Sequence, residues 1–350
     1  MKETIPVRPD EQLDVARLAD YLRPRLIGAD QALQVSQFPG GAANLTYLLQ
    51  FGDQTEYVLR RPPLGPVAPK SHDMGREYRV LSVLYQALPV APRAYHLCED
   101  SNIIGAPFQI LERRRGVVIR TQMPPTYAEQ PQSARQLSEA LIDRLADFHA
   151  VDYQALGLGD LGKADGFLQR QVEGWYGRWQ KAKAEDSAAF EAVYQWLQAN
   201  LPPSQGVSLV HNDYKLDNTM FDPSDPSHMV AIFDWDMCTL GDPLSDLGTL
   251  LTYWTEESDP QVAKGLLGMP SAKYGFLTRA ELIQRYAQRS GRDVSYIRFY
   301  QVLGLYRLIV IIAQIYIRYQ RGQTQDERFA AFGAIIPIFA ELAEQLTRSE

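Results

Sequence analysis

Cysteine is almost missing from this chain of 350 residues, which holds only Cys98 and Cys238. Two cysteines make no disulfide framework, so an apolar core has to hold the fold, and a reducing cytoplasm is the expected setting. The amino terminus, M-K-E-T-I-P-V-R-P-D, has no apolar stretch of the kind a secretory signal carries. An excess of basic residues is missing too. The 35 Lys and Arg are outnumbered by 42 Asp and Glu, for a net charge of −7, which argues against a partner read through its phosphate backbone, so no nucleic acid is expected. Long apolar runs are also lacking. The most apolar one, residues 308–317, has Arg307 before it and Arg318 after it and is about half of what a bilayer requires, so it reads as a buried helix and no membrane partner is expected.

What the chain does have is 45% hydrophobic residues, enough for one large domain or two. Residues 11–27 repeat apolar positions at helical spacing, with Asp10 as the expected N-cap. Three short segments of strand character follow at 33–38, 45–51 and 56–60, separated by P-G-G-A-A-N and G-D-Q-T, so an antiparallel meander is the simplest arrangement. A helix over 71–88 and strands at 93–98 and 107–112 come next. Beyond them the pattern is mostly helical, at 133–150, 167–179, 188–201, 278–290, 295–319 and 325–346. Gly157, Gly159 and Gly162 satisfy G-x-G-x-x-G, but a helix and a loop precede them where a nucleotide fingerprint needs a strand, so that match is rejected.

Two buried-strand runs, 208–211 and 229–233, each end in acidic or amide groups. The first leads into H-N-D-Y-K-L-D-N and the second into D-W-D. The spacing H-x-D-x-x-x-x-N is that of a kinase catalytic loop, in which the Asp takes a hydroxyl proton and the Asn holds metal. Asp213 and Asn218 occupy those places, and Asp234 stands where the second metal-binding Asp belongs. Oxygen ligands of this kind suit Mg²⁺ brought in on a nucleotide. The competing interpretation is ordinary strand-end turns, which Asp and Asn favour.

Upstream, Gly40 and Gly41 with Asn44 could close backbone N–H groups over phosphates or simply form a hairpin turn. Kinases take a Lys from the third strand and pair it with a Glu on the next helix. Here that strand offers Arg60, and the helix offers Glu77. Arg61 turns to the other face by strand alternation and is expected to take no part. E-R-R-R-G reads as a connector whose backbone near Leu111 and Glu112 would meet an adenine edge, or as a solvated basic loop. Asp246 lies in the first turn of a helix opened by Asp242 and Pro243, and either complements the helix dipole or anchors the catalytic loop.

Taken together, P-G-G-A-A-N-L-T-Y, V-L-R-R-P-P, H-D-M-G-R-E-Y-R-V-L, F-H-A-V-D, H-N-D-Y-K-L-D-N, F-D-W-D and L-G-D-P-L-S-D-L resemble the aminoglycoside phosphotransferase and choline kinase superfamily. They are most similar to the branch also found fused to acyl-CoA dehydrogenases. The resemblance spans about residues 20–340. It implies an α+β, protein-kinase-like bilobal fold. A small antiparallel-sheet nucleotide lobe would span 1–113, and a larger helical lobe with the catalytic loop and substrate site would span 114–350. It also implies Asp213 as catalytic base, Asn218 and Asp234 as Mg²⁺ ligands, Gly40, Gly41 and Asn44 as the nucleotide loop, and Arg60 with Glu77 as the phosphate-binding pair, with arginine known in that branch. Lys215 could steady the transferred group. Aminoglycoside enzymes usually have H-G-D where this chain has Asn212. The expected activity is ATP-dependent phosphorylation of a hydroxyl on a small molecule, for example a hydroxyacyl-CoA-like metabolite. An aminoglycoside- or choline-type kinase and a catalytically weak nucleotide-binding module are the alternatives. No oligomeric state is implied.

Overall fold

A computed structural model of the chain, described over residues 3–39, 44–63, 73–324 and 326–348, opens with helix α1 (Val15–Leu22). The helix is shorter than its apolar spacing predicts. Asp10 falls inside a 3₁₀ turn at Pro9–Glu11, and the cap is Asp14, whose carboxylate accepts the Arg17 N–H at 3.0 Å. Leu18 and Leu22 are fully buried.

Strands β1 (Leu33–Gln37), β2 (Leu45–Phe51) and β3 (Thr55–Arg61) form the expected antiparallel meander. Alternate side chains of β2 and β3 are buried, which sends Tyr47, Leu49, Phe51 and Leu59 into one core with Phe108 and Ile110. Helix α2 (Met74–Leu84) is capped by Asp73, which accepts the Arg76 N–H. It stops four residues short of the expected Leu88, with turns at residues 85–87 leading to it. β4 (Ala94–Cys98) and β5 (Phe108–Glu112) complete a sheet of order β1-β2-β3-β5-β4. These elements and the later segment Val230–Cys238 make one compact unit, Met1–Gly116 with Val230–Cys238.

Alternation places Arg61 opposite Arg60, as expected, but Arg61 is not idle there. It is 3% exposed and donates from Nη1 to the Ile104 carbonyl at 2.8 Å. Removing a large buried side chain together with its hydrogen bond should lower stability by about 2–4 kcal/mol in Arg61→Ala. Urea unfolding measures this. Unchanged unfolding with a raised KM for nucleotide would move the phosphate contact from Arg60 to Arg61.

The second unit, Val117–Met229 with Thr239–Glu350, begins with β6 (Val117–Val118), α3 (Pro125–Ala128), α4 (Ser133–His149), α5 (Phe167–Ala182) and α6 (Ala188–Ala199). Short strands β7 (Ser208–Val210), β8 (Thr219–Phe221), β9 (Met229–Ile232) and β10 (Thr239–Gly241) follow. Within the unit β6 pairs with β8 and β7 with β10, both antiparallel, while most of β9 belongs to the first unit. The chain closes with α7 (Leu244–Tyr253), α8 (Gln261–Leu267), α9 (Arg279–Ser290), α10 (Ile297–Gln320) and α11 (Phe332–Arg348). The last helix starts later than the periodicity predicts, since Glu327–Ala331 forms a 3₁₀ turn capped by Asp326.

Every residue from Leu244 to Thr252 is buried, which makes α7 the centre of this unit. A Cβ on Gly248 would lie 2.3 Å from the Tyr300 carbonyl oxygen, so glycine is what lets α7 and α10 approach so closely. By length and hydropathy both α10 and the segment Glu327–Arg348 could cross a bilayer. The helix α10 is longer than the apolar run within it, and it is buried along most of Phe299–Ala313.

Candidate active site

Strand β7 ends at Val210, and the next three N–H groups are all taken. His211 and Asn212 donate to the two oxygens of Asp246 at 2.6 and 2.7 Å. Asp213 donates to Nδ1 of His211 at 3.3 Å. Asn212 has φ of 65°, the left-handed region that asparagine tolerates better than most residues after glycine. This accounts for asparagine at a position where glycine is usual.

The loop presents the Asp213 carboxylate between two donors. Nζ of Lys215 lies 2.9 Å from both oxygens, and Nδ2 of Asn218 donates to Oδ2 at 2.8 Å and to the Asp213 carbonyl at 2.9 Å. The Lys215 ammonium also sits 4.9 Å from the centre of the Tyr253 ring. Burial opposes its charge, but the neighbouring Asp213 and Asp217 outweigh burial and hold its pKa above the ordinary value. Burial pushes the Asp217 carboxyl up, although Lys215 pulls against it.

Of the two roles expected for Asp246, the structure supplies the anchor. The residue is fully buried. Besides the two backbone donors it faces Nε2 of His149 at 3.3 Å, and Nδ1 of that ring meets the Tyr286 hydroxyl at 2.7 Å. Burial works against ionisation of Asp246, yet these donors hold its carboxyl below the ordinary range. Burial likewise lowers His149. Sequence reasoning singled out neither His149 nor Tyr286; F-H-A-V-D was the available signal.

The first unit holds the other group of predicted residues. Arg60 bridges two acids: Nη1 lies 3.0 Å from Oε1 of Glu77, and Nη2 contacts Oδ1 of Asp234. Glu77 is fully buried. It also accepts the Trp235 N–H at 3.2 Å and a bond from the Gln109 amide. Burial pushes Glu77 up to about 7, against the pull of Arg60. Burial also opposes the charge on Arg60, but Glu77 and Asp234 raise its pKa. Asp234 has φ of 70°, which turns the chain sharply into Trp235–Met237. Gln109, directly across the sheet from Arg60, gave no sequence signal.

Asn44 is buried at the head of β2, whereas Gly40 and Gly41 lie outside the described residues. Leu111 pairs with Val58 on one side and Ala94 on the other. The Glu112 N–H donates to the Arg93 carbonyl at 2.8 Å, and its carboxylate lies 2.9 Å from Arg114.

Among the described residues no group of three or more His, Cys, Asp or Glu side chains is placed to hold a metal alone. Mg²⁺ takes one or two protein oxygens and fills the rest with water and phosphate, and Asn218 and Asp234, which belong to different units, each carry a side-chain oxygen. The Asn218 amide nitrogen is committed to Asp213, and its amide oxygen takes no part in that contact.

The second unit thus holds a tethered Asp–Lys–Asn loop and the first a cation that bridges two acids, and comparison with known proteins gives the family. Residues 34–282 match the family model described as the phosphotransferase enzyme family, and the chain belongs to that family. It is 33% identical over 99% of its length to acyl-CoA dehydrogenase family member 11 of Rattus norvegicus and 31% identical over 99% to family member 10 of Mus musculus. It spans 45% and 32% of those proteins, less than half the length of the curated relatives it matches. A crystal structure from Ralstonia eutropha, assigned to the aminoglycoside phosphotransferases, is 31% identical with a TM-score of 0.82, covering 96% of this chain and 99% of that one. A choline/ethanolamine kinase family protein of Mesorhizobium loti shares the fold at 16% identity and a TM-score of 0.56, covering 96% of this chain and 98% of that one. The α+β, kinase-like fold expected from the motifs is therefore the fold of this chain.

Proposed function

We propose that the chain transfers the γ-phosphoryl group of ATP to a hydroxyl of a small, hydroxylated acyl metabolite such as a hydroxyacyl-CoA. The observation that carries this is the Asp213 carboxylate, aimed by a buried anchor and flanked by Lys215 and Asn218. Asp213 orients the acceptor hydroxyl and takes its proton, and Lys215 steadies the transferred group. Asn218 and Asp234 are the residues that would hold Mg²⁺, whose contribution when bound is to neutralise charge on the phosphates. Arg60, paired with Glu77, is the phosphate-binding cation. Because Arg60 already touches Asp234, Arg60→Ala should raise KM for ATP and lower kcat together, by about ten- to a hundredfold in kcat/KM. Steady-state kinetics with ATP varied reads this.

The acceptor class rests on charge. A polycationic aminoglycoside would want an acidic pocket, and of the neighbouring acids Glu256, Glu257 and Asp259 the first and last are already engaged. Arg279 lies 3.0 Å from Asp259 and 3.6 Å from Glu256, and its backbone N–H donates to Glu256 at 2.6 Å. Cys98 and Cys238, both buried, fit a reducing compartment such as the cytoplasm.

A metabolite-library screen with ATP and Mg²⁺, read by ADP release, tests the reading. Turnover on a hydroxyacyl thioester supports it; turnover on aminoglycosides or choline alone replaces the acceptor class. Nucleotide binding in a thermal-shift assay with no turnover on any acceptor would establish the nucleotide-binding module instead.

A further inference from the structure

One buried cation in the second unit has no place in that chemistry. Arg307, in the middle of α10, is 6% exposed. No carboxylate among the described residues lies within 4.0 Å of its guanidinium. A buried charge without an ion pair is a poor choice for stability, since an apolar side chain of similar volume is usually neutral or better. Its contacts therefore need to explain it.

Nη2 of Arg307 donates to the Asn212 carbonyl at 2.9 Å and Nη1 to Oγ1 of Thr249 at 3.2 Å, while the guanidinium lies 5.4 Å from the centre of the Trp175 ring. The Asn212 carbonyl belongs to the peptide that joins Asn212 to Asp213. The N–H of that same peptide donates to His211, and the preceding N–H donates to Asp246. The residue with φ of 65° immediately before the proposed base is thus held by an anion on its N–H and a cation on its C=O. Turning that peptide plane would swing the Asp213 side chain away from its aim.

We infer that Arg307 is a positioning residue for phosphoryl transfer: it fixes the Asn212–Asp213 peptide and so directs the Asp213 carboxylate, without touching nucleotide or acceptor. The inference rests on the reading of Asp213 as the base. The test compares the full chain with R307M, whose thioether stem still packs on Trp175, and with R307K.

Hydrogen–deuterium exchange over 208–216 should speed up in R307M while α4 and α10 keep their protection, and the melting temperature should hold to within a few degrees. With the acceptor found by the screen, kcat should fall about ten- to a hundredfold, the size expected for a misaimed group, with KM for ATP nearly unchanged. R307K should recover part of kcat, since one ammonium reaches the carbonyl without the fork. A folded R307M with wild-type kcat overturns the proposal, as does a loss confined to KM or a loss accompanied by exchange throughout the unit. If R307M does not fold, R307K decides between the same outcomes. If the wild type phosphorylates nothing, the kinase reading fails by itself, and unchanged exchange at 208–216 in either variant still overturns the peptide-holding role.

Discussion

Asp213→Asn should leave a folded protein that binds nucleotide within a few-fold of wild type and turns over about a hundred to ten thousand times more slowly, the usual contribution of a general base. The local geometry explains why both halves of this result are expected. The carboxylate receives Lys215 on both oxygens and Asn218 on one. A carboxamide keeps the shape but turns an NH₂ towards groups that are themselves donors. The backbone of the loop is fastened separately through Asp246, so the substitution should disturb the side chain and leave its platform in place. Circular dichroism and nucleotide titration establish the folded, binding-competent state before rates are compared. Full activity in that state would remove Asp213 from the mechanism.

Asp234→Ala is expected to be nearly as severe and to act on a different step. Its carboxylate is proposed to hold Mg²⁺ and is the second partner of Arg60. Losing it should weaken nucleotide binding in the presence of Mg²⁺ much more than in its absence, and lower kcat by on the order of a hundredfold or more. Calorimetric titration of ATP with Mg²⁺ and with a chelator separates the two. Asp236→Ala serves as the control and should be nearly silent. A dead Asp236 variant beside an active Asp234 variant would move the ligand two residues along the chain.

Much of the fold was legible because period-two alternation is strong in β2 and in β3 from Glu56 onward, where half-exposed and buried residues take turns. Helix ends were harder to read. Asp10 and Asp14 are both plausible caps, and only the 3₁₀ turn after Arg8 decides between them. The cluster of Asp213, Lys215 and Asn218 could be read because its members lie within six residues. Of its supports only Asp246 was open to reading, as one of two roles, since His149, Tyr286 and Arg307 come from three other helices far apart in the chain. Arg307 in an apolar run looked like an interruption, and Arg61 looked like a bystander. In both cases the sequence shows the charge, while the carbonyl that accepts its hydrogen bond is set by tertiary packing.

The first unit is not continuous in sequence: Val230–Cys238 joins it only after more than a hundred residues of the second unit have been made. During synthesis at about 5–20 residues per second, the sheet and α2 would wait several seconds for that segment to leave the ribosome. Until then Arg60 lacks Asp234 and Glu77 lacks the Trp235 N–H, so a buried Arg–Glu pair is left short of two partners. A nascent chain arrested before residue 230 should therefore be the protease-sensitive stage of biosynthesis, and one arrested after 238 has emerged should be resistant over the same sheet. A gene cut after Gly116 would not produce a stable first unit unless the missing nine residues, Val230–Cys238, were supplied on a second fragment.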